Sequence, residues 1–440
     1  MWNEKRLFYE IILPFSRVLE DIEYYGMIVD KEKLEELKED FEKKSKRLEF
    51  EIFEHTGNIN LNSSKQLAEA LFGRLGIPDY IEDFEREKKE WIPFKDEFRT
   101  EKGSHSVDVV VLKKIKEIHQ HPVAELILQY RSLQTLLSKF VYGLEKYIHN
   151  DGRIHSSFFQ LTKGGRPESS KPNLLQIPSR DKLGRKIKEI FISDEGYTII
   201  HMDYSAMELR FLAWLAKDPV MLPAFENGKD VHSITTSTVF GIPYEEVMAG
   251  KDGVHKTKRF CAKTTNFLII FGGSYATLQE QLLKYGDLYI NRKECSRFIE
   301  GFYDTYPGVA PFQKKVEYLV KTHGYMKNLF GRRRYFDSVK NDNLDNSVLS
   351  SIVRKASSHL IQGSSSGDYS ALKAVELDKV LKSFGGRFFN ILYDGFYVLV
   401  KDKDVNEFKT IMGDILSKPE DPVKIILPVD IKTGKKWSEV

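Results

Sequence analysis

Two long helices with a charged segment between them constrain this chain more than any other feature of its sequence. Apolar residues recur at helical spacing through residues 31–56, opposite a charged face, and Gly26 and Gly57 flank the segment. A second long helix is predicted at residues 122–148. Charges and helix breakers fill residues 80–106, which we interpret as a mobile connection or a tip. The pattern favours an arm over a compact core.

Composition is that of a folded protein, because 41% of the 440 residues are apolar and 12% are aromatic. Lys and Arg total 67 against 64 Asp and Glu, and a net charge of +3 neither requires nor excludes a nucleic-acid partner. No apolar run reaches the ~18 residues of a membrane span, and MWNEKRLFYE at the N-terminus lacks the apolar segment of a secretory signal. Cys261 and Cys295 form no CxxC pair, which excludes a disulfide framework and a cysteine zinc site. We expect a soluble protein of a reducing compartment.

The character of the sequence changes after residue 150. Residues 162–184 are rich in Gly, Pro, Ser and Lys and predict a long loop. A buried strand is predicted at Tyr197–Met202, and residues 217–345 are mainly helical. Within that helical region, the three arginines at 332–334 suit either phosphate binding or simple exposure to solvent.

Two aspartates lie at positions where a carboxylate can coordinate a metal ion. Asp203 lies between the predicted strand and a helix, where it can coordinate Mg²⁺, although a helix cap is the favoured interpretation when this residue is taken alone. Asp394, followed by Gly395, predicts a tight hairpin between the β-rich runs Arg387–Leu392 and Phe396–Val400. An aspartate in a turn usually only stabilises the turn geometry. Here, however, the apolar runs predict a buried hairpin, in which an unpaired carboxylate is costly and a bound metal would offset that cost.

Four residues of the helix predicted around 255–273 recur at every fourth position: Arg259, Lys263, Phe267 and Phe271. Each step of four residues drifts by about 40°, so the side chains follow one slowly turning stripe. Two cations and then two rings suit a triphosphate with its sugar or base. An ordinary amphipathic helix, with a buried aromatic end and a solvated basic end, has the same spacing. Together with two aspartates that could share two Mg²⁺ ions, the stripe favours phosphoryl transfer.

Seven stretches match a known family in order and separation. DYSAMELR (203–210) resembles its motif A, KRFCAKTTNFLIIFG (258–272) its motif B of the form RxxxKxxxF, and LYDGFYVLV (392–400) occupies the place of motif C. The chain therefore resembles family A DNA polymerases, the bacterial DNA polymerase I type, from about residue 14 to its end. The supporting stretches are GRPESSKPNLLQIP (165–178), GRRRYF (331–336), RKASSHLIQG (354–363) and NLNSSKQLAEALF (60–72).

The resemblance covers the polymerase portion only and implies an α+β fold with a right-hand architecture. It implies an N-terminal helix and thumb over 1–150, a palm with an antiparallel sheet over 151–216 and 346–440, and helical fingers over 217–345. The tripeptide at 21–23 has the form of an exonuclease DxE, but it lies in a predicted helix without later exonuclease motifs. We interpret it as a solvated helix face and expect no exonuclease domain.

The resemblance also implies roles for individual residues. Asp203 and Asp394 would hold two catalytic Mg²⁺ ions, for which Mn²⁺ could substitute, and the Tyr204 carbonyl would contribute to one of them. Lys263 would protonate the pyrophosphate leaving group, and Glu208 would block a ribose 2′-hydroxyl. The other implied contacts are Arg259, Lys263 and His232 with the triphosphate, Phe267 with the deoxyribose, Phe271 with the nascent base pair, Arg166, Asn173, Arg354 and Gln362 with primer–template, and Arg131 and Lys139 with the duplex backbone.

Several positions depart from the family's pattern. Gly395 stands where motif C usually has Glu, so the accessory carboxylate is absent, and Tyr393 stands where it usually has His. The metal-binding aspartate remains, so activity is expected. Phe271, Leu268 and Ser358 stand where the family usually has Tyr, Gly and Asn. These changes put in doubt the contacts with the template and the base pair that the resemblance implies.

The sequence therefore predicts a DNA-templated DNA polymerase that extends a primer 3′-hydroxyl without proofreading. Its expected partners are primer–template DNA and dNTPs, and we expect a monomer without membrane contact in the cytoplasm of a bacterium or of the host cell of a virus. One alternative is an enzyme that also copies RNA, because the changes at Phe271 and Ser358 could loosen template discrimination. The other is an inactive primer–template-binding scaffold, which the retained Asp203 and Asp394 make less favoured.

Overall fold

A four-stranded sheet lies at the centre of the fold, and every neighbouring pair of its strands is antiparallel. The computed structural model describes residues 2–85, 90–94, 98–178, 182–340 and 344–440. The strands of the sheet are β1 (Tyr197–Tyr204), β2 (Arg387–Leu392), β3 (Gly395–Lys401) and β4 (Val429–Gly434), in the spatial order β2-β3-β1-β4.

Both faces of this sheet are buried, because successive residues of a strand point to opposite sides. In β1, Ile200 and Met202 join one hydrophobic cluster together with Phe396 of β3. Ile199 of β1 and Tyr397 of β3 join a second cluster on the other face. The two middle strands of the sheet therefore carry apolar residues on both faces.

The first predicted helix is confirmed with the bounds Lys31–Thr56. The Asp30 side chain accepts a hydrogen bond from the Lys33 backbone N–H (2.9 Å), which satisfies a donor at the helix N-terminus, and Gly57 ends the helix with a φ of 69°. The second predicted helix is confirmed in position but ends before residue 148. It comprises Pro122–Thr135, the π-helical turn Leu136–Val141 and Tyr142–Glu145.

Helices account for much of the remaining chain, and no described helix is both long and apolar enough to cross a membrane. Before the sheet they are Glu4–Leu7, Leu13–Tyr25, Ser64–Ala68, Val109–Glu117 and Lys182–Lys188, with π-helical Phe8–Ile12 and Glu69–Arg74. Between β1 and β2 they are Met207–Ala216, Met221–Glu226, Val231–Phe240, Tyr244–Ala249, Lys256–Ile270, Tyr275–Gly286, Arg292–Thr305, Val309–His323, Asn346–Ile361 and Ser370–Ser383, with π-helical Gly363–Tyr369. The helix Val405–Ser417 connects β3 to β4.

Short strands pair outside the central sheet. They are Met27–Val29 with Arg153–Ile154 and Phe191–Ile192, Ser157–Phe159 with Glu168–Ser170, Tyr325–Lys327 with Arg333–Tyr335, and Ile81–Glu85 with Glu90–Phe94. The 3₁₀ turns are Leu174–Gln176, Asp337–Lys340, Asp402–Asp404 and Trp437–Glu439.

Two predicted loops contain regular structure. The connection predicted at 80–106 includes an antiparallel hairpin in which Ile81 pairs with Phe94, while residues 86–89 and 95–97 lie outside the described part of the chain. The loop predicted at 162–184 includes a strand and a 3₁₀ turn, and residues 179–181 again lie outside the described part. Paired backbone groups stabilise segments whose composition alone indicated irregular structure.

The helices of residues 2–22 pack into the first cluster, on one face of the central sheet, whereas the Lys31–Thr56 helix contributes to the second cluster, on the other face. The interpretation of residues 21–23 as a solvated face is wrong in detail. Asp21 forms a salt bridge with Lys382 (2.8 Å), and the Glu23 carboxylate accepts a hydrogen bond from the Phe158 backbone N–H. These two carboxylates tie the helix to its neighbours.

Candidate active site

The sheet brings the two predicted aspartates together. Asp203 is the penultimate residue of β1, and its direct partner on β3 is Gly395. Asp394 immediately precedes that glycine in a two-residue turn, in which Tyr393 has a φ of 58°. The tight hairpin is confirmed, but its central residues are Tyr393 and Asp394, so the predicted Asp-Gly centre is off by one residue.

Asp203 does not cap the helix that follows it. The N-cap residue of Met207–Ala216 is Ala206, which has a left-handed φ of 51° and makes no capping hydrogen bond through its side chain. The cap that is favoured for Asp203 in isolation is therefore wrong. Asp203 remains in the strand, between Gly395 of β3 and Asp430 of β4.

Electrostatics make this pair of carboxylates costly to ionise. Burial, followed by the negative charges of Asp203 and Glu208, raises the pKa of Asp394 to about 7. Burial and the nearby charge of Asp430 also raise the pKa of Asp203. Within the described residues, no group of three or more His, Cys, Asp or Glu side chains converges as a metal site. A divalent cation between the two carboxylates would offset both the burial and the repulsion, so these oxygen donors fit a hard ion such as Mg²⁺.

Gly395 lies against two side chains of β1. A Cβ placed on this glycine would be 3.0 Å from the His201 Nε2 atom and 3.2 Å from the Asp203 Oδ1 atom, closer than ordinary contact. The His201 ring stacks on Tyr397, with ring centroids 4.1 Å apart and an interplanar angle of 5°. The position that lacks the family's accessory carboxylate is thus closely bordered by an imidazole and by one of the two aspartates.

Glu208 lies in the first turn of Met207–Ala216 and is held by three donors. Its Oε1 atom accepts hydrogen bonds from the Gln362 amide (3.0 Å), the Ser366 hydroxyl (3.4 Å) and the Arg166 guanidinium. The Arg166 guanidinium carbon also lies 5.1 Å from the centre of the Tyr393 ring. These contacts connect the residue predicted to select the sugar with two residues predicted to contact primer–template.

The helix predicted around 255–273 is confirmed as Lys256–Ile270, and Phe271 is the residue that ends it. Arg259 donates from Nε to the Asp230 carboxylate (2.7 Å). The Lys263 ammonium lies 5.9 Å from the centre of the Phe267 ring, and this phenylalanine is only partly buried. Asp230 was missed by the sequence analysis, although an acidic residue before a helix is a recognisable capping signal.

His232 is buried beside this helix. Its Nδ1 atom lies 3.1 Å from the Asn266 amide nitrogen, and its ring centre lies 5.6 Å from that of Phe267. Burial lowers the pKa of His232 to about 4 in spite of the opposing charge of Asp230, so the imidazole is neutral at neutral pH.

The predicted DNA contacts lie in different settings. Asn173 lines a groove of about 800 Å³ together with Arg166 and Tyr393. Arg354 lines a separate cavity of about 480 Å³. Among the remaining predicted DNA contacts, the Gln362 side-chain oxygen accepts from the Ser358 hydroxyl at 2.8 Å, Arg131 donates to the Val107 carbonyl, and Lys139 is exposed. Tyr204, which is predicted to bind metal through its carbonyl, has its hydroxyl 3.1 Å from the Leu416 carbonyl oxygen.

Comparison with known proteins identifies the same family as the motif stretches in the sequence. The family model described as DNA polymerase family A matches residues 31–439. The thermostable DNA polymerase I of Thermus filiformis is 33% identical over 437 residues, which are 98% of this chain and 48% of that protein. The DNA polymerase I of Streptococcus pneumoniae is 31% identical over 444 aligned residues, covering 99% of this chain and 46% of that protein. The chain therefore spans about half the length of the curated relatives it matches.

A solved structure shares the fold. The POL domain of Pol1 from M. smegmatis, in complex with DNA primer–template and dNTP, superposes with a TM-score of 0.85 at 28% sequence identity. The match covers 99% of this chain and 71% of that one. The agreement extends over the whole described architecture and is not confined to the central sheet.

Proposed function

This chain belongs to DNA polymerase family A, and from that premise we propose that it extends a primer 3′-hydroxyl with dNTPs on a DNA template. Its α+β fold with an antiparallel sheet is the right-hand architecture predicted from the sequence. The observation that carries the proposal is the position of Asp203 on β1, directly opposite Gly395 and hence beside Asp394. Two partly buried carboxylates side by side at the end of the β1–β3 pair suit the binding of divalent cations at a phosphoryl-transfer centre.

The metal ligands in this proposal are Asp203, Asp394 and the Tyr204 carbonyl. Two Mg²⁺ ions held there, or Mn²⁺ in their place, would stabilise the attacking and leaving oxygens of phosphoryl transfer. The raised pKa of Asp394 supports this assignment, because a carboxylate that is costly to ionise alone is ionised readily beside a cation.

The incoming nucleotide would lie along the Lys256–Ile270 helix. Arg259 and Lys263 would bind the triphosphate, and Lys263 would donate a proton to the pyrophosphate as it leaves. His232 is neutral, so it would contact phosphate as a hydrogen-bond donor and not as a cation. Phe267 would pack on the deoxyribose. Phe271 would lie beside the nascent base pair, and Glu208 would exclude a ribose 2′-hydroxyl.

The primer–template would occupy the groove that Arg166, Asn173 and Tyr393 line. Gln362 and Arg354 would contact it near the active site, and Arg131 and Lys139 would contact the duplex backbone. We assign the thumb with the N-terminal helix to 1–150, the palm to 151–216 and 346–440, and the fingers to 217–345. The resemblance to the family supports these assignments, and it also supports the proposal of a monomer in the cytoplasm of a bacterium or of the host cell of a virus.

Proofreading is not part of the proposed activity. The acidic side chains of Asp21 and Glu23, which resemble an exonuclease DxE, are engaged by Lys382 and by the Phe158 backbone. A primer with a mismatched 3′ end should therefore keep its full length when incubated without dNTPs. Shortening of that primer would contradict this part of the proposal.

Primer extension by the wild type and by Asp203→Ala, first with Mg²⁺ and then with Mn²⁺, tests the main proposal. The wild type should extend a DNA primer, and the variant should lose extension with both ions while it still binds primer–template. A wild type that binds primer–template but is inert with both ions would support a scaffold instead. No described feature favours copying of RNA, and extension on matched DNA and RNA templates separates the two activities.

A further inference from the structure

Ser366 lies between two residues of the proposed active site. Its side chain is almost fully buried, at 1% exposure, within the π-helical segment Gly363–Tyr369. Arg166 donates from Nε to the Ser366 hydroxyl oxygen at 2.7 Å. The Ser366 hydroxyl in turn lies 3.4 Å from the Glu208 carboxylate and 3.4 Å from the Gln362 carbonyl oxygen. One hydroxyl therefore accepts from the guanidinium, and its single proton is shared between the Glu208 carboxylate and the Gln362 carbonyl oxygen.

The backbone around this hydroxyl has little freedom to move. A Cβ placed on Gly367 would lie only 2.3 Å from the Gly164 carbonyl oxygen, so the π-helical segment presses directly on the loop before Arg166. Gly165, with a φ of 78°, is crowded as well, because a Cβ on it would lie 2.9 Å from the Arg332 Nε atom and 3.0 Å from the Asp368 Oδ1 atom. The two glycines thus seat the loop against the segment and bring Arg166 to Ser366.

The segment is one of four π-helical stretches in the described part of the chain and is the one that borders the proposed active site. The side chain of Glu208 is 13% exposed, and Arg166 reaches both this carboxylate and Ser366. A carboxylate can exclude a 2′-hydroxyl only while it stays in one orientation, since a rotated side chain opens the space it guards.

We propose that Ser366 is a positioning residue that fixes Arg166 and Glu208 relative to each other and thereby sets the preference for deoxyribonucleotides. The inference rests on the proposed function, in which Glu208 is the group that meets the sugar. Without the Ser366 hydroxyl, the Arg166 Nε–H loses its acceptor and Glu208 loses a donor, so the carboxylate gains rotational freedom. Ribonucleotides then compete better, while the reacting groups remain unchanged.

The test compares Ser366→Ala with Ser365→Ala and Glu208→Ala. Ser365 is the matched control, because it is the preceding residue of the same segment, is equally buried, and its hydroxyl has no hydrogen-bond partner among the residues that the structure describes. For each protein, kcat and KM are measured for dCTP and CTP opposite a template G. In Ser366→Ala the kcat/KM for dCTP divided by that for CTP should fall about tenfold, which is the effect of one lost hydrogen bond to charged groups. The fall should come mainly from a higher kcat/KM for CTP, and Ser365→Ala should keep the wild-type ratio.

The outcomes separate this inference from the function on which it rests. If Glu208→Ala loses discrimination while Ser366→Ala keeps it, Ser366 has no positioning role and the sugar-selecting role of Glu208 stands. If Ser366→Ala slows dCTP and CTP equally, its role is structural and the inference is overturned. If Glu208→Ala keeps full discrimination, the assignment of the sugar contact fails, and the role of Ser366 fails with it.

Discussion

Gly395 of β3 lies directly opposite Asp203 of β1, so close that a Cβ at position 395 would come within 3.2 Å of the Asp203 Oδ1 atom. The same Cβ would lie 3.0 Å from His201 Nε2, and the His201 ring is itself stacked on Tyr397. The glycine at this position is therefore matched to its neighbours, which leave little room for a larger side chain.

We expect Gly395→Ala to lower the free energy of unfolding by about 1–3 kcal/mol, the usual cost of overpacking. Primer extension should fall at least tenfold, because the Asp203 carboxylate must shift. Gly413→Ala is the control, since its Cβ would meet only Ile431 Cδ1 at 3.9 Å and a helical alanine is favoured by up to about 1 kcal/mol. Urea unfolding and primer extension measure both effects. Wild-type behaviour of Gly395→Ala in both assays would show that the site adapts without cost.

Asp394 should make stability in EDTA depend on pH. Its pKa in the folded protein is raised from 3.8 to about 7, so the folded state binds this proton more tightly than the unfolded state. The stabilisation from that proton is complete below about pH 4 and is lost as the pH rises through about 7. Asp394→Asn should therefore resemble the wild type near pH 4 and exceed its stability at pH 8 by up to about 4 kcal/mol.

The control for this prediction is Asp402→Asn. Hydrogen bonds from Lys435 and Thr198 lower the pKa of Asp402, so it stays ionised from pH 5 to pH 8 and its replacement should leave the pH profile unchanged in that range. Urea unfolding at several pH values measures all three proteins. Parallel profiles of the wild type and Asp394→Asn would mean that Asp394 has an ordinary pKa. Addition of Mg²⁺ at pH 8 should stabilise the wild type more than Asp394→Asn.

Lys263 and Lys258 offer a matched pair on one helix. The exposed Lys263 lies on the proposed nucleotide stripe. Lys258 instead lies 5.4 Å from the centre of the Phe240 ring, which packs against the hydrophobic cluster that contains Cys261 and Leu268 of the same helix. Lys263→Ala should lower the rate of nucleotide addition about 10²-fold or more, the usual contribution of a positioned general acid. Lys258→Ala removes the same charge and should stay within a few-fold of the wild type. Equal losses would indicate a general electrostatic effect.

Arg332 and Arg333 should differ in their contributions to stability. Arg332 forms a 2.7 Å salt bridge with Asp368, which is fully buried, while Arg333 pairs with Glu4 at 3.3 Å on the surface. Arg332→Ala should lower the free energy of unfolding by about 3–5 kcal/mol, because it leaves a buried carboxylate without its cation. Arg333→Ala should change it by less than about 1 kcal/mol. Thermal or urea unfolding measures the difference, and similar losses would contradict the role of burial.

Local patterns in the sequence were sufficient to predict the helices and strands on which the candidate active site is built. The stripe of apolar residues at helical spacing identifies Lys31–Thr56 to the residue, and the β-rich runs around Asp394 identify β2 and β3 almost completely. The motif stretches also identify the family, which the match over residues 31–439 confirms. These features depend on neighbours only a few positions away, and so a single sequence reveals them.

Tertiary structure decided which distant residues meet. Arg166 and Ser366 are 200 positions apart, and Arg166 and Glu208 are 42 apart, yet the three side chains share hydrogen bonds. The shift of the turn centre to Tyr393-Asp394 and the place of Gly395 opposite Asp203 likewise follow from strand register. Helical and strand periodicity determine which face of an element is buried, but register and long-range contacts depend on the packing of whole elements against one another.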